Sequence, residues 1–154
     1  MQKKNIFFIL KFLSLFLTLS WITSITFVEN IFIQLFMQIS KLFLFLFNGA
    51  IIGNQIIIKG IYLEMIKECT GITMYVLFSA FAIAYDCPIK KKLKGLGIGL
   101  GILFSLNILR LFTIMLSAYL STTLFGFIHD FLWPSTFFIF TLIVGAYYIK
   151  RCSK

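Results

Sequence analysis

Three side chains in this chain could do covalent chemistry together: the thiol of Cys69, the guanidinium of Arg110 and the imidazole of His129, the only histidine. Cys69 lies in the run Glu68-Cys69-Thr70-Gly71-Ile72, where a polar, strand-like stretch meets an apolar helix. The positive end of a helix favours an anion such as a thiolate, and Thr70-Gly71 lets a backbone or a substrate come close. A buried cysteine alone is more often a small hydrophobe; this one gains weight from its company. Arg110 stands in an apolar run, where a guanidinium is costly unless it is paired or sits in a wet cavity; the alternatives are snorkelling or a structural ion pair. Asn107, three positions earlier, shares its helix face. A neutral imidazole suits general acid–base work on a thiol. Glu68 and Asp130 flank the cysteine and the histidine; either could orient a partner, or be a solvated helix start. Together these residues suit attack of a thiol on a peptide carbonyl, to cut or transfer a peptide chain.

The elements that must position them are set by composition. The chain is 60% hydrophobic with 20 phenylalanines, and carries five acidic against fourteen basic residues. A soluble domain of this size has too little interior to hide that much apolar surface, so the reading is a single-domain, all-α polytopic membrane protein over residues 1–154. Apolar segments fall at about 5–28, 31–47, 70–85, 95–120 and 131–148. The first resembles a signal peptide but lacks a convincing cleavage site, and is read as retained. The second carries Gln34, Gln38 and Lys41 on one helical face, which suits a stripe facing its neighbours or lying along the interface. Residues 48–68 are the least membrane-like, and Gly53-Asn54 and Lys59-Gly60 punctuate them into a short extracytoplasmic hairpin. Pro88 ends the third helix. The alternating glycines 95, 97, 99 and 101 lack the rest of a phosphate loop and read as close helix packing.

The net charge of +9 does not point to nucleic acid, because the basic residues sit at the ends of apolar runs. The three cysteines fit no zinc spacing, and neither metal nor organic cofactor is called for. Lys90-Lys91-Lys92-Leu93-Lys94 reads as a cytoplasmic loop, and Lys150 to Lys154 as a cytoplasmic tail. Cys69, Arg110 and His129 then come to similar depth near the outer face, with Cys87 and Cys152 on the other side, out of reach of Cys69; Cys152 is expected to be free. The N-terminus conflicts with this: Lys3, Lys4 and Lys11 ask to be inside, whereas five crossings put them outside. The second segment is the better candidate for lying flat.

At these residues the chain resembles the exosortase/archaeosortase family, multi-spanning enzymes with a Cys, an Arg and a His on successive extracytoplasmic segments. The match is carried by Glu68-Cys69-Thr70-Gly71-Ile72, Asn107-Ile108-Leu109-Arg110 and His129-Asp130, in that order, over roughly Ile57 to the end of the last helix. The resemblance implies a transpeptidase of the plasma membrane with its site facing outside. Its substrates would be exported proteins with a C-terminal tail of short motif, membrane helix and basic residues, and an amine or lipid-derived group would accept the acyl chain. It implies Cys69 as nucleophile, Arg110 as oxyanion or thiolate stabiliser and His129 as acid and base. The rival readings are a non-catalytic membrane subunit or transporter component, its polar residues acting as helix glue, and a thiol oxidoreductase, disfavoured because no second cysteine reaches Cys69.

Overall fold

The structure, a computed structural model, describes residues 2–153, with side chains described for residues 5–152. Lys3, Lys4 and Lys154, on which part of the charge reading rests, therefore lie outside the described side chains. Two long helices, α1 (Gln2–Thr23) and α2 (Thr26–Phe47), lead into strands β1 (Ala50–Ile52), β2 (Gln55–Ile58) and β3 (Ile61–Glu64). A single 3-10 turn, Lys67–Thr70, opens α3 (Ile72–Ala84). Then come α4 (Ile89–Leu120), the short α5 (Thr122–Gly126), a widened π-helical turn Phe127–Leu132, and α6 (Trp133–Ser153).

The expected hairpin is a three-stranded antiparallel meander in the order β1-β2-β3, with Ile51 opposite Ile56 and Ile57 opposite Tyr62. Lys59 and Gly60 both have positive φ (48° and 82°), the conformation that tight hairpin turns require. Ile56 and Ile58 bury one face of the sheet against α2 and the C-terminal half of α4.

The 32-residue α4 serves as the axis. Its first turns carry the lysines and define a lysine end; the cysteine lies towards the other. The third, fourth and last helices begin and end near the expected positions, with one correction. The lysine run is not a loop: Pro88 sits at the N-cap, where its fixed φ suits a helix start, and Lys90 to Lys94 are helical from the first turn of α4.

α3 and α6 both run antiparallel to α4. At the cysteine end Asn107 reaches the carbonyl of Thr70 and Trp133 reaches Thr113. At the lysine end Lys92 donates to the carbonyl of Ile83, and Tyr148 of α6 donates to that of Ala82 at 2.9 Å. α1 spans the same distance: Phe8 meets Phe81 and Tyr85 edge-on near the lysine end, while Ser24, just past its C-terminus, accepts from Lys67 at the cysteine end.

α2 is the exception. By length and composition it could cross a membrane, as could α1, α4 and the helix over Thr122–Cys152. Yet it starts beside the Lys67–Thr70 turn and finishes with Phe47 against Phe112 and Tyr119, so both its ends are at the cysteine end. Its middle reaches down only to Phe104, through Phe36. Gln34, Gln38 and Lys41 are exposed, whereas Ile33, Phe36, Met37, Ser40, Leu44 and Phe47 are buried. The outward side also carries Phe27, Ile31, Leu35, Leu42, Phe45 and Leu46, so α2 buries one face and turns a mixed apolar and polar face outward. The helices that run from end to end are therefore α1, α3, α4 and α6. The even number returns residue 153 to the end where α1 begins.

Cys87 and Cys152 form a disulfide, with Cα atoms 5.5 Å apart. The expectation of a free Cys152 is thus corrected: the two cysteines are distant in sequence, but α3 and α6 end side by side, which only the tertiary fold reveals. Of the alternating glycines, two carry the packing. A Cβ on Gly95 would come within 2.8 Å of the Tyr148 ring and one on Gly99 would overlap Phe78, whereas Gly97 and Gly101 face open space.

Candidate active site

The cysteine turn is built by its backbone and clamped from α4. Thr70 donates its hydroxyl to the carbonyl of Lys67 at 2.6 Å, closing the 3-10 turn. Gly71 then takes a left-handed φ of +70°. A side chain there would be strained, and a Cβ would lie 2.9 Å from Phe137 and 3.1 Å from Asn107. Glycine is needed twice over: for its dihedral and because α4 and α6 press against it.

Asn107 is 1% exposed; its Nδ2 donates to the carbonyl of Thr70 at 2.7 Å and lies 3.5 Å from that of Cys69. One turn on, Arg110 is 8% exposed and donates through Nη1 to the carbonyl of Glu68 at 3.2 Å. The two side chains that share a face of α4 thus hold three successive carbonyls around the thiol. The guanidinium is also near enough to Cys69 and Tyr75 to interact with both electrostatically. The half-buried Cys69 is the one free cysteine among the described residues, and its Sγ lies 3.8 Å from the carbonyl of Glu64 at the end of β3. The meander thus acts as a wall that positions the sulfur.

The histidine comes from the widened turn between α5 and α6. Its Nδ1 is 2.6 Å from a carboxylate oxygen of Asp130, and its ring stacks on Phe125 with centroids 5.3 Å apart. Trp133, one turn later and buried, donates to Thr113 at 2.8 Å, and Thr113 in turn bonds the carbonyl of Arg110. The histidine segment is thereby tied to α4 one turn beyond the arginine.

Cys69, Arg110 and His129 line one cavity of about 260 Å³. Its remaining wall is mostly apolar: Ile56, Leu63 and Met65 from the sheet side, Leu111, Ile114 and Met115 from α4, and Phe125. Of the supporting residues, Asn107 lies beneath the turn. Glu68 contributes its carbonyl while its side chain is exposed, and Asp130 meets only the histidine edge. Sequence reasoning passed over Tyr75, Thr113 and Trp133. Tyr75 lies beside Asn107 and Arg110, its hydroxyl close enough to the Asn107 side chain to hydrogen-bond, while Asn107 Oδ1 and Arg110 Nε are buried polar atoms without a partner among the described residues. Its phenol in the apolar run Ile72–Ala84 was the available signal for it. Thr113 carried one too, as the polar residue three positions after Arg110, on the same face. Among the described residues no group of three or more His, Cys, Asp and Glu could hold a metal ion.

The fold and site define a multi-pass membrane protein with a half-buried thiol next to a buried arginine. Residues 2–146 match the transmembrane exosortase family, and the chain belongs to it. The match extends through α1 and α2, further than the motif residues alone reached. Membership implies in general a membrane sorting transpeptidase of the cysteine class, whose substrates are exported proteins with sorting signals. No curated protein and no solved structure matches the chain.

Proposed function

We propose that the chain is a cysteine transpeptidase that cleaves a C-terminal sorting tail from exported proteins through a Cys69 thioester and passes the protein to a second nucleophile. The observation that carries this reading is the single cavity shared by Cys69, Arg110 and His129. The Asp130 carboxylate holds a proton on Nδ1 of His129, which leaves Nε2 free as the base. Nε2 takes the thiol proton, and the sulfur attacks the substrate carbonyl. The guanidinium of Arg110 stabilises the oxyanion, more strongly in a water-poor cavity than in bulk solvent. The peptide C–N bond breaks, the leaving amine takes the proton back from His129, and the protein remains as a thioester. An amine or lipid-derived acceptor then gives its proton to His129, attacks the thioester and releases the thiol. Asn107 and Gly71 act as positioning residues for the turn.

The orientation follows from charge. Lys90, Lys91, Lys92, Lys94, Lys150 and Arg151 gather at the lysine end, whereas four of the five acids (Glu29, Glu64, Glu68 and Asp130) belong to segments at the cysteine end, where they offset Lys41, Lys59 and Lys67. The positive-inside rule puts the lysine end in the cytoplasm and the cavity at the outer face of the plasma membrane; the Cys87–Cys152 bridge at the lysine end counts against this, since disulfides seldom persist in a reducing cytosol. The testing experiment is co-expression of a tail-bearing substrate with the wild type, Cys69→Ala or Cys69→Ser, followed by its size on a gel. Loss of processing in both variants at equal protein level, with a hydroxylamine-labile adduct in the wild type, is expected. Unchanged processing in Cys69→Ala overturns the thiol mechanism and leaves a non-catalytic subunit as the better account.

A further inference from the structure

A second site lies at the opposite end of the molecule. Lys90, Lys91 and Lys94, from the first turns of α4, and Arg151, from the last turn of α6, line a cavity of about 410 Å³. Among the described residues these four line it, their charged ends standing on aliphatic stems that make up most of the wall. None of the four has a carboxylate partner; among the described residues the sole ion pair is His129–Asp130. Arg151 spends one donor on the hydroxyl of Tyr147, and the neighbouring Lys92 is turned aside to the carbonyl of Ile83.

The arrangement opposes helix stability. A helix N-terminus favours acids, yet the first turn of α4 has no acidic residue and no side-chain cap, and lysines crowd it. Like charges from two elements are also drawn together. The Cys87–Cys152 bridge does this covalently: Cys87 lies three residues before Lys90, and Cys152 adjoins Arg151. Such a cluster is relieved by an anion. Its position selects which one, because Ile89 and Leu93, interleaved with the lysines, are 65% and 62% exposed and apolar. They lie where the apolar helix leaves the hydrocarbon, beside the headgroup layer.

From this we infer that Lys90, Lys91, Lys94 and Arg151 form a binding site for the phosphate headgroup of an anionic phospholipid in the leaflet at the lysine end, with Ile89 and Leu93 against its acyl chains. The site is remote from the Cys69 cavity, so it stands or falls independently of the proposed reaction.

The test uses the full chain in detergent micelles with phosphatidylglycerol or phosphatidylcholine added, and native mass spectrometry to count retained lipid. Preferential retention of phosphatidylglycerol is expected, weakened about fivefold for each cation removed. Lys94→Gln/Arg151→Gln should therefore lose it. Lys41→Gln/Lys59→Gln, which removes the same charge elsewhere, should not, and Lys94→Arg/Arg151→Lys should keep it in a chain of unaltered charge. Equal retention of the two lipids, equal loss in both glutamine variants, or displacement of the lipid by millimolar inorganic phosphate would each overturn the inference.

Discussion

The lysine end and the cysteine end of the bundle are packed by different means. At the lysine end, Phe78, Phe81, Tyr85 and Tyr148 form an aromatic cluster of mostly edge-on rings. Gly95 and Gly99 let α4 close against those rings, and the Cys87–Cys152 bridge seals the bottom. The one buried hydroxyl of that cluster, on Tyr148, is satisfied by Ala82. At the cysteine end, by contrast, helices and sheet meet around a polar seam of Thr70, Asn107 and Arg110, with Asn107 Oδ1 and Arg110 Nε left without partners among the described residues. One end is built for density. The other accepts the cost of desolvated polar groups and leaves a cavity, as sites that must receive charge commonly do.

This contrast can be broken or sharpened by substitution. The largest effect is expected from Cys69→Ala: processing of a tail-bearing substrate should fall by about 10⁴-fold or more, while membrane yield and thermal midpoint hold. Arg110→Lys keeps the charge but loses the planar fork; a loss of about 10²–10³-fold in turnover is expected, measured against the same substrate at matched protein level. At the other end, Cys152→Ser should cost about 2–4 kcal/mol in stability, with activity per folded molecule retained. Melting with and without reductant reads this, and alkylation before and after reduction reports the bridge directly. Gly99→Leu forces a side chain into Phe78 and should cost about 1–3 kcal/mol, whereas Gly101→Ala, facing open space, should be neutral or stabilise by about 0.5–1 kcal/mol. Equal damage from these two would show that the glycine packing does not hold the lysine end together.

Much of the site was legible because its residues are chemically out of place: a guanidinium and an amide in an apolar helix, a lone histidine beside an acid, and a thiol before Thr-Gly. Hydrophobic runs and Pro88 likewise marked α3, α4 and α6, and Gly53-Asn54 and Lys59-Gly60 marked the turns of the sheet. What could not be read depends on long-range placement. α2 is long and apolar enough to span, and only the Ser24–Lys67 bond before its start and the contacts of Phe47 with Phe112 and Tyr119 at its end show both its ends on one side. The Cys87–Cys152 bridge joins residues 65 positions apart, and no local pattern announces it. The lysine run suggested a loop because charge density is a cue for solvent exposure; it is solvent-exposed and helical at once.

The clamp on the cysteine turn also bears on how the protein opens. Asn107 and Arg110 hold the carbonyls of Thr70 and Glu68, so unlatching the turn would strand an amide and a guanidinium with unmet bonds in an apolar wall. Local opening there costs nearly as much as parting α3 from α4. The amides of Met74 and Tyr75, which bond the carbonyl of Gly71, should then exchange with deuterium together with those in the middle of α4, far more slowly than those of the short β1. The turn that carries the Cys69 sulfur would thus belong to the slowest-exchanging part of the chain, formed before any ligand arrives.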